Sequence, residues 1–403
     1  VITDEVPGLR SVALGIWIGV GSRDERAHQA GAAHYLEHLL FKGTPTRSAW
    51  DISAQMEAVG GEMNAFTTKE YTCFHARVLA EHLGLAVDIT SDVVLRGTLR
   101  SVDVESERGV ILEEIAMHDD DASDLVHDLA AEQVFGDAGL GRPILGTVDS
   151  IRSLTRGAIA SFHRRHYRPE NMVVAAAGGV SHRSVVGKVR KAFDGFLDGP
   201  QAPCAPRSGP RVPIGGAGSR RVCRRPTEQT HMVLTLPGLT RTDERRYALS
   251  VLNAVLGGGM SSRLFQSVRE ERGLAYSVYS YVTHFSDAGT LNVYAGCQPE
   301  RAAEVVDLCR TELAALCDGR LSASDVARGR GQVKGSLILG QEDAGARMSR
   351  AAKSALLGAE PADIDDLIRR VDSVSVSQVR ALADELLGAE PALALVGPDR
   401  RGT

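Results

Sequence analysis

A chain of 403 residues with 43% hydrophobic and 24% charged residues is long enough for more than one cored domain and too apolar to be disordered. Its formal charge of -5 and the lack of any uninterrupted apolar run of about 18 residues argue against nucleic-acid binding and a membrane span. Residues 1–200 hold 20 basic and 28 acidic groups and the remainder 26 and 23, a net -8 against +3; an acidic first half favours basic peptides as partners, although most of these charges read as solvated faces. The six cysteines show no CxxC pair or tight spacing and read as free thiols, and the first ten residues carry no export signal, so the expected location is a reducing cytoplasm. The chain begins at Val1, which leaves room for a preceding segment.

In chain order, 11–21 is β-rich and ends at glycine, and 22–28 is polar, so a strand and a loop lead into the segment around His34. Residues 49–59 have helical periodicity and stop at Gly60-Gly61; 62–78 then alternates in two β-prone runs, a hairpin. Helices are expected over 79–95 and 101–117, the run Asp119-Asp120-Asp121 capping the next one, and 172–177 suits a buried strand. Proline and glycine dominate 198–218, the mark of a linker. Beyond it 220–225 alternates like an exposed strand, and the earlier order returns: strand 230–236, helix 247–256, glycines 257–259, helix 264–271, β-rich 276–282, strand 290–295, helix 301–316. The expectation is an α+β chain of two similar halves, 1–197 and 219–403.

The chemistry starts at His34-Tyr35-Leu36-Glu37-His38. Residues four apart share a helical face, so His34 and His38 form a clamp for one metal ion, with Glu37 placed to act on a water beside it. The order is inverted relative to the commoner His-Glu-x-x-His pattern. Catalytic zinc takes three protein ligands, so a third is needed. Helix 101–117 offers Glu107 and Glu114, seven apart and nearly aligned, with Glu113 about 100° away; spacing alone leaves Glu113 and Glu114 as alternatives. His75 and His82 are seven apart across a strand-to-helix junction, His163, His166 and His231 have no partner at ligand spacing, and all five read as structural or surface residues.

The chain resembles the pitrilysin family of zinc peptidases, which includes insulin-degrading enzyme and mitochondrial processing peptidase, and specifically a short bacterial processing-peptidase-like member. His34-x-x-Glu37-His38 followed by Leu39-Leu40-Phe41-Lys42-Gly43-Thr44 is similar to the family's metal helix. The resemblance implies His34, His38 and Glu114 as zinc ligands, Glu37 as the base and Glu107 as an auxiliary glutamate. Gly60-Gly61-Glu62-Met63-Asn64-Ala65-Phe66-Thr67 is similar to the edge strand to which a peptide substrate adds, with Asn64, Ala65 and Phe66 as substrate-binding positions. Arg269-Glu270-Glu271-Arg272-Gly273-Leu274-Ala275-Tyr276 is similar to an element whose Arg269 and Tyr276 reach the substrate. The implied fold is a clamshell of two facing halves, each a mostly antiparallel sheet covered by helices, the first binding zinc and the second contacting substrate. The implied activity is zinc-dependent hydrolysis of short or unfolded polypeptides by a homodimer. The rival is a non-catalytic structural or partner subunit of the same fold; the intact ligands, base and Arg-Tyr pair oppose it.

Overall fold

Strand Ser11–Ile18 is apolar at nearly every position, the pattern of a strand covered on both faces, and its two faces organise the first half of the chain. The structure, a computed structural model, describes residues 1–197, 211–358 and 363–398. The linker stretch therefore lies outside the described residues as far as residue 210, as does Cys204, and 211–218 form neither helix nor strand.

The first sheet is built from β1 (Ile2–Glu5), β2 (Ser11–Ile18), β3 (Glu62–Thr67), β4 (Thr72–Leu79) and β5 (Met172–Gly178), in the order β1-β5-β2-β4-β3. Only the β1–β5 pair is parallel. The second sheet contains β6 (Arg220–Arg224), β7 (Thr230–Pro237), β8 (Ala275–His284), β9 (Gly289–Cys297) and β10 (Ala392–Gly397), in the order β6-β10-β7-β9-β8, and again only the outermost β6–β10 pair is parallel. Substituting each strand of the first sheet by its counterpart in chain order reproduces the second, so the repeat read from the sequence is a repeat of topology. The fold is α+β, with a mixed five-stranded sheet and helices in each half.

The packing units are not the continuous halves 1–197 and 219–403. One unit takes in 1–115 and the described residues of 142–207 and 340–361; the other takes in 116–141 and the described residues of 208–339 and 362–403. The physical reason is the back face of each sheet. In the first unit, Ala13, Trp17, Cys73, Ala175 and Ala177 are covered by Ala344, Met348 and Ala352 of helix Ala344–Leu356. In the second, Val233, Tyr294, Ala394 and Val396 are covered by Ala122, Val126 and Ala130 of helix Ala122–Phe135, which Asp121 caps as its position predicted. Both helices present apolar residues at a spacing of four, one stripe on one face. Gly15 marks how closely the first stripe approaches: a Cβ there would lie 2.5 Å from Trp17 Nε1 and 2.8 Å from Met348 Sδ. The indole itself donates to Met348 Sδ at 3.2 Å.

The opposite face of the first sheet carries Val12, Leu14, Ile16 and Ile18 and packs, in one continuous core, with Ala33, Leu36 and Leu40 of helix Ala32–Leu40 and Ile111 and Ile115 of helix Ser101–Asp120. These are the two helices that bear the candidate site.

Met348 is almost fully buried, and truncating a buried methionine costs about 2–5 kcal/mol. Met348→Ala should therefore lower the denaturant midpoint of the first unit, followed by Trp17 fluorescence in a Trp50→Phe background, with an unchanged slope. An unaltered midpoint would show that the helix from the second half does not support this sheet.

Candidate metal centre

Helix Ala32–Leu40 puts His34 and His38 on one face, their rings in edge contact with centroids 4.6 Å apart. Helix Ser101–Asp120 brings Glu114 to them: Glu114 Oε2 lies 3.6 Å from His34 Nε2 and 3.7 Å from His38 Nε2. The helix separates the two alternatives left by spacing, since Glu113 is exposed on its far side while Glu114 turns inward. Among the described residues His34, His38 and Glu114 are the one group of three or more His, Cys, Asp or Glu able to hold a metal ion, with ligand atoms all within 4.8 Å of one another.

These contacts are too long for hydrogen bonds, and they are not an ion pair to His34. Burial, with His38 alongside, holds the His34 imidazole down at about 4, so it is neutral at pH 7. Glu114 Oε2 is shut off from solvent and has no hydrogen-bond partner. Groups with free lone pairs that converge at distances too long for hydrogen bonds are the arrangement a cation resolves. Ligands about 2.0–2.1 Å from a tetrahedral zinc are roughly 3.4 Å apart, so the two contacts of Glu114 with the imidazoles are within a few tenths of an ångström of that spacing.

Behind the ligands, His38 Nδ1 is 3.2 Å from Glu107 Oε2, and the buried Glu107 carboxylate also pairs with Lys42 Nζ at 2.6 Å. A carboxylate on the outer ring nitrogen fixes the tautomer that leaves Nε2 free to ligate. Tyr35, fully buried between the histidines in sequence, donates its hydroxyl to the Val104 carbonyl and so ties the two helices together.

Glu37 is half-buried beside the ligands. Burial raises its carboxyl above the usual range, opposed by a hydrogen bond from Thr67 and by His38, and assisted by Glu114. The Thr67 hydroxyl donates to Glu37 Oε2 at 2.6 Å. Thr67 closes the 60–67 motif without a role implied by the resemblance; the signal for it in the sequence is strand period two, because Ala65 and Thr67 share a face.

Among the described residues β3 is an edge strand, paired only with β4. Asn64 and Phe66 point to the face opposite Thr67; the Phe66 ring packs on Trp17 and Tyr71, with centroids 5.7 and 6.2 Å away. Asn64 Oδ1 accepts from the Ala65 N–H at 2.8 Å, so an added strand would have to displace that side chain to use this donor.

Arg269 and Tyr276 meet within the second unit. The guanidinium lies over the Tyr276 ring at 4.5 Å and the Phe265 ring at 4.7 Å, and Nη1 donates to the Tyr276 carbonyl at 2.9 Å. Arg269 sits in a π-helical turn, Phe265–Glu270, and Tyr276, an exposed side chain, at a register shift in β8 between Ala275 and Ser277. π-turns and β-bulges both recur at functional positions. Helix Arg246–Gly257, which follows β7 as the metal helix follows β2, contains no histidine, cysteine or acidic residue, so the second unit repeats the frame without the ligands.

Fold and donor set together define a metallopeptidase-like chain with one unit that carries a candidate metal donor set and a copy whose corresponding helix lacks it. The family described as "Insulinase (Peptidase family M16)" matches residues 1–148, and "Peptidase M16 inactive domain" matches 153–333. Uncharacterized zinc proteases of Streptomyces coelicolor, Mycobacterium tuberculosis and Bacillus subtilis are 53%, 48% and 38% identical, each over 99% of this chain and over 87%, 91% and 96% of the relative. This chain belongs to peptidase family M16, the pitrilysin family. A peptidase M16 inactive domain from Pseudomonas fluorescens superposes with a TM-score of 0.90 at 20% identity, covering 99% of this chain and 95% of the other. A protease from Helicobacter pylori gives 0.89 at 21% identity, covering 98% and 96%. Both share the fold.

The geometry separates neighbouring glutamates, and zinc titration of the purified chain tests it. Glu114→Gln should lose high-affinity zinc binding, while Glu113→Gln should bind like the wild type. The reverse result would move the third ligand and overturn the assignment.

Proposed function

We propose that this chain is a zinc-dependent endopeptidase acting on short or unfolded polypeptides, with zinc held by His34, His38 and Glu114. The observation that carries the reading is the convergence of three ligand atoms beside a glutamate already held in place by Thr67. The names of the relatives, zinc proteases, support it.

Zinc bound there would lower the pKa of a water and polarise a peptide carbonyl. Glu37 accepts the proton of the attacking water and passes it to the leaving amine, the two halves of general base and general acid catalysis by one carboxyl. Its raised pKa suits both roles, since a carboxyl that takes a proton readily can also hold it until the amine departs. Thr67 keeps one oxygen of Glu37 fixed, so the other is the one offered to water. Glu107 keeps the His38 ring oriented and balances Lys42. The substrate backbone pairs with the free edge of β3 at Asn64, Ala65 and Phe66, displacing Asn64 Oδ1 from the Ala65 N–H, and main-chain pairing of this kind is tolerant of sequence.

Within this reading, 1–197 carries the catalysis and 219–403 contacts substrate through Arg269 and Tyr276: a guanidinium can hold a substrate carbonyl and a phenol can donate to a developing oxyanion. The stacking of the two side chains keeps both in defined positions. A homodimer in the cytoplasm completes the proposal; the five described cysteines are free thiols, in keeping with a reducing compartment. A purely structural role has one observation in its favour, the match of 153–333 to an inactive domain, and the absence of ligands from helix Arg246–Gly257 explains that match without removing the centre in the first unit.

Glu37→Gln keeps the shape and removes the base. It should bind zinc like the wild type and cleave an unstructured peptide library at least about 100-fold more slowly. Undiminished cleavage by this variant, with contaminating protease excluded, would sink the peptidase assignment.

A further inference from the structure

The metal helix starts without a cap of its own. Gly31 occupies the N-cap position at φ 90° and supplies no side chain. A Cβ at Gly31 would lie 2.6 Å from Ile151 Cδ1 and 2.7 Å from the Leu145 carbonyl oxygen, so the usual capping residues, serine, threonine, aspartate and asparagine, do not fit there. The first N–H groups of the helix still need acceptors, and they are buried.

Those acceptors come from Glu25. Its Oε2 accepts from the Gly31 N–H at 2.8 Å and its Oε1 from the Ala33 N–H at 2.7 Å, one oxygen for each donor. The residue is only 4% exposed. Burial raises its carboxyl above the usual range, while the two backbone donors, Arg142 and Lys69 pull the other way; an N–H on each of the two oxygens is a demand that the ionised form meets in full. A carboxylate is a costly group to bury, and the positive end of a helix is one of the few places that compensates it. Glu25 is in turn secured: Arg142 Nη2 donates to its carbonyl at 2.6 Å, and Lys69 Nζ donates to the Arg142 carbonyl. His34 is the third residue of the helix, directly after Ala33. The first ligand thus sits in the turn that frays soonest when a helix is uncapped.

We propose that Glu25 is a positioning residue of the metal centre: its carboxylate replaces the cap that Gly31 cannot provide and fixes the turn that aims His34 at His38 and Glu114. The proposal rests on the reading of His34 as a metal ligand. It assigns a role to a residue outside both the ligand set and the base, and it distinguishes Glu25 from Glu107, which acts on the ring of His38 and not on the helix.

The test is zinc affinity of the full chain, read by chelator competition at a temperature where circular dichroism shows each variant folded, with the visible spectrum of the cobalt-substituted protein as a second readout. Glu25→Gln retains the volume but sets an amide N–H against one of the two backbone donors; it should weaken zinc by about tenfold, and Glu25→Ala by about 100-fold, with altered cobalt bands in both. Should Glu25→Ala fail to fold, Glu25→Gln decides. Met348→Ala serves as the control for mere destabilisation, since it loosens the same unit far from the ligands and should keep wild-type zinc affinity. Wild-type affinity and cobalt spectra in the Glu25 variants, with binding still abolished by His34→Ala, would overturn the proposal alone. Undiminished zinc binding by His34→Ala would overturn the metal reading and the proposal with it.

Discussion

Everything at the candidate centre depends on the register between two helices, Ala32–Leu40 and Ser101–Asp120. A pair of histidines four apart can be written into any helix, but a third ligand has to arrive from elsewhere at a fixed height. Three side-chain links set that height: the Tyr35 hydroxyl on the Val104 carbonyl, His38 on Glu107, and the inward turn of Glu114 toward both imidazoles. Residues 104, 107, 111 and 114 follow one another at helical spacing, so once Tyr35 engages Val104 the two glutamates fall opposite the two histidines. Ile111 and Ile115, buried in the core beneath, resist slippage along the helix. A shift by one residue would exchange Glu114 for Glu113 and put a solvated carboxylate where the ligand belongs.

The two units show how one frame is specialised twice. Their sheets have the same strand order and the same single parallel pair, and each receives a helix from the other half of the chain on its back face. Only the first places histidine and acidic residues on the helix after its second strand. The second instead spends irregular backbone, a π-turn at Arg269 and a register shift at Tyr276, on presenting one cation and one phenol. Irregularities of this kind break the local rules that regular elements obey, and they fall at the positions the family resemblance had singled out.

Much of this was legible in the sequence where local pattern carried the information. The apolar run of β2, the Gly60-Gly61 stop before the hairpin, the Asp121 cap and the His34-Glu37-His38 clamp are all local, and each stands where expected. What was not legible depends on partners distant in the chain. Ala344, Met348 and Ala352 form a stripe of the kind any amphipathic helix carries, and nothing in their spacing says that they cover Ala13 and Trp17 more than 300 residues earlier. Thr67 was visible only as the end of a strand until Glu37 was seen to accept its hydroxyl. Glu25 looked like one more charge in a polar loop, because a carboxylate that caps a helix from six residues upstream leaves no sequence signature when the N-cap itself is glycine. Glu113 and Glu114 are inseparable by spacing and are separated by the approach of Glu114 Oε2 to both imidazoles.

X-ray absorption at the zinc edge of the purified chain tests the central claim most directly, because it reads ligand type and distance without reference to any substrate. The account predicts one zinc per chain with a first sphere of nitrogen and oxygen only, about 2.0–2.1 Å from the metal, with the outer-ring scattering of two imidazoles, and loss of one imidazole contribution in His38→Ala. A sulfur contribution near about 2.3 Å, which would direct attention to the cysteines, or an imidazole signal indifferent to His34 and His38, would contradict it.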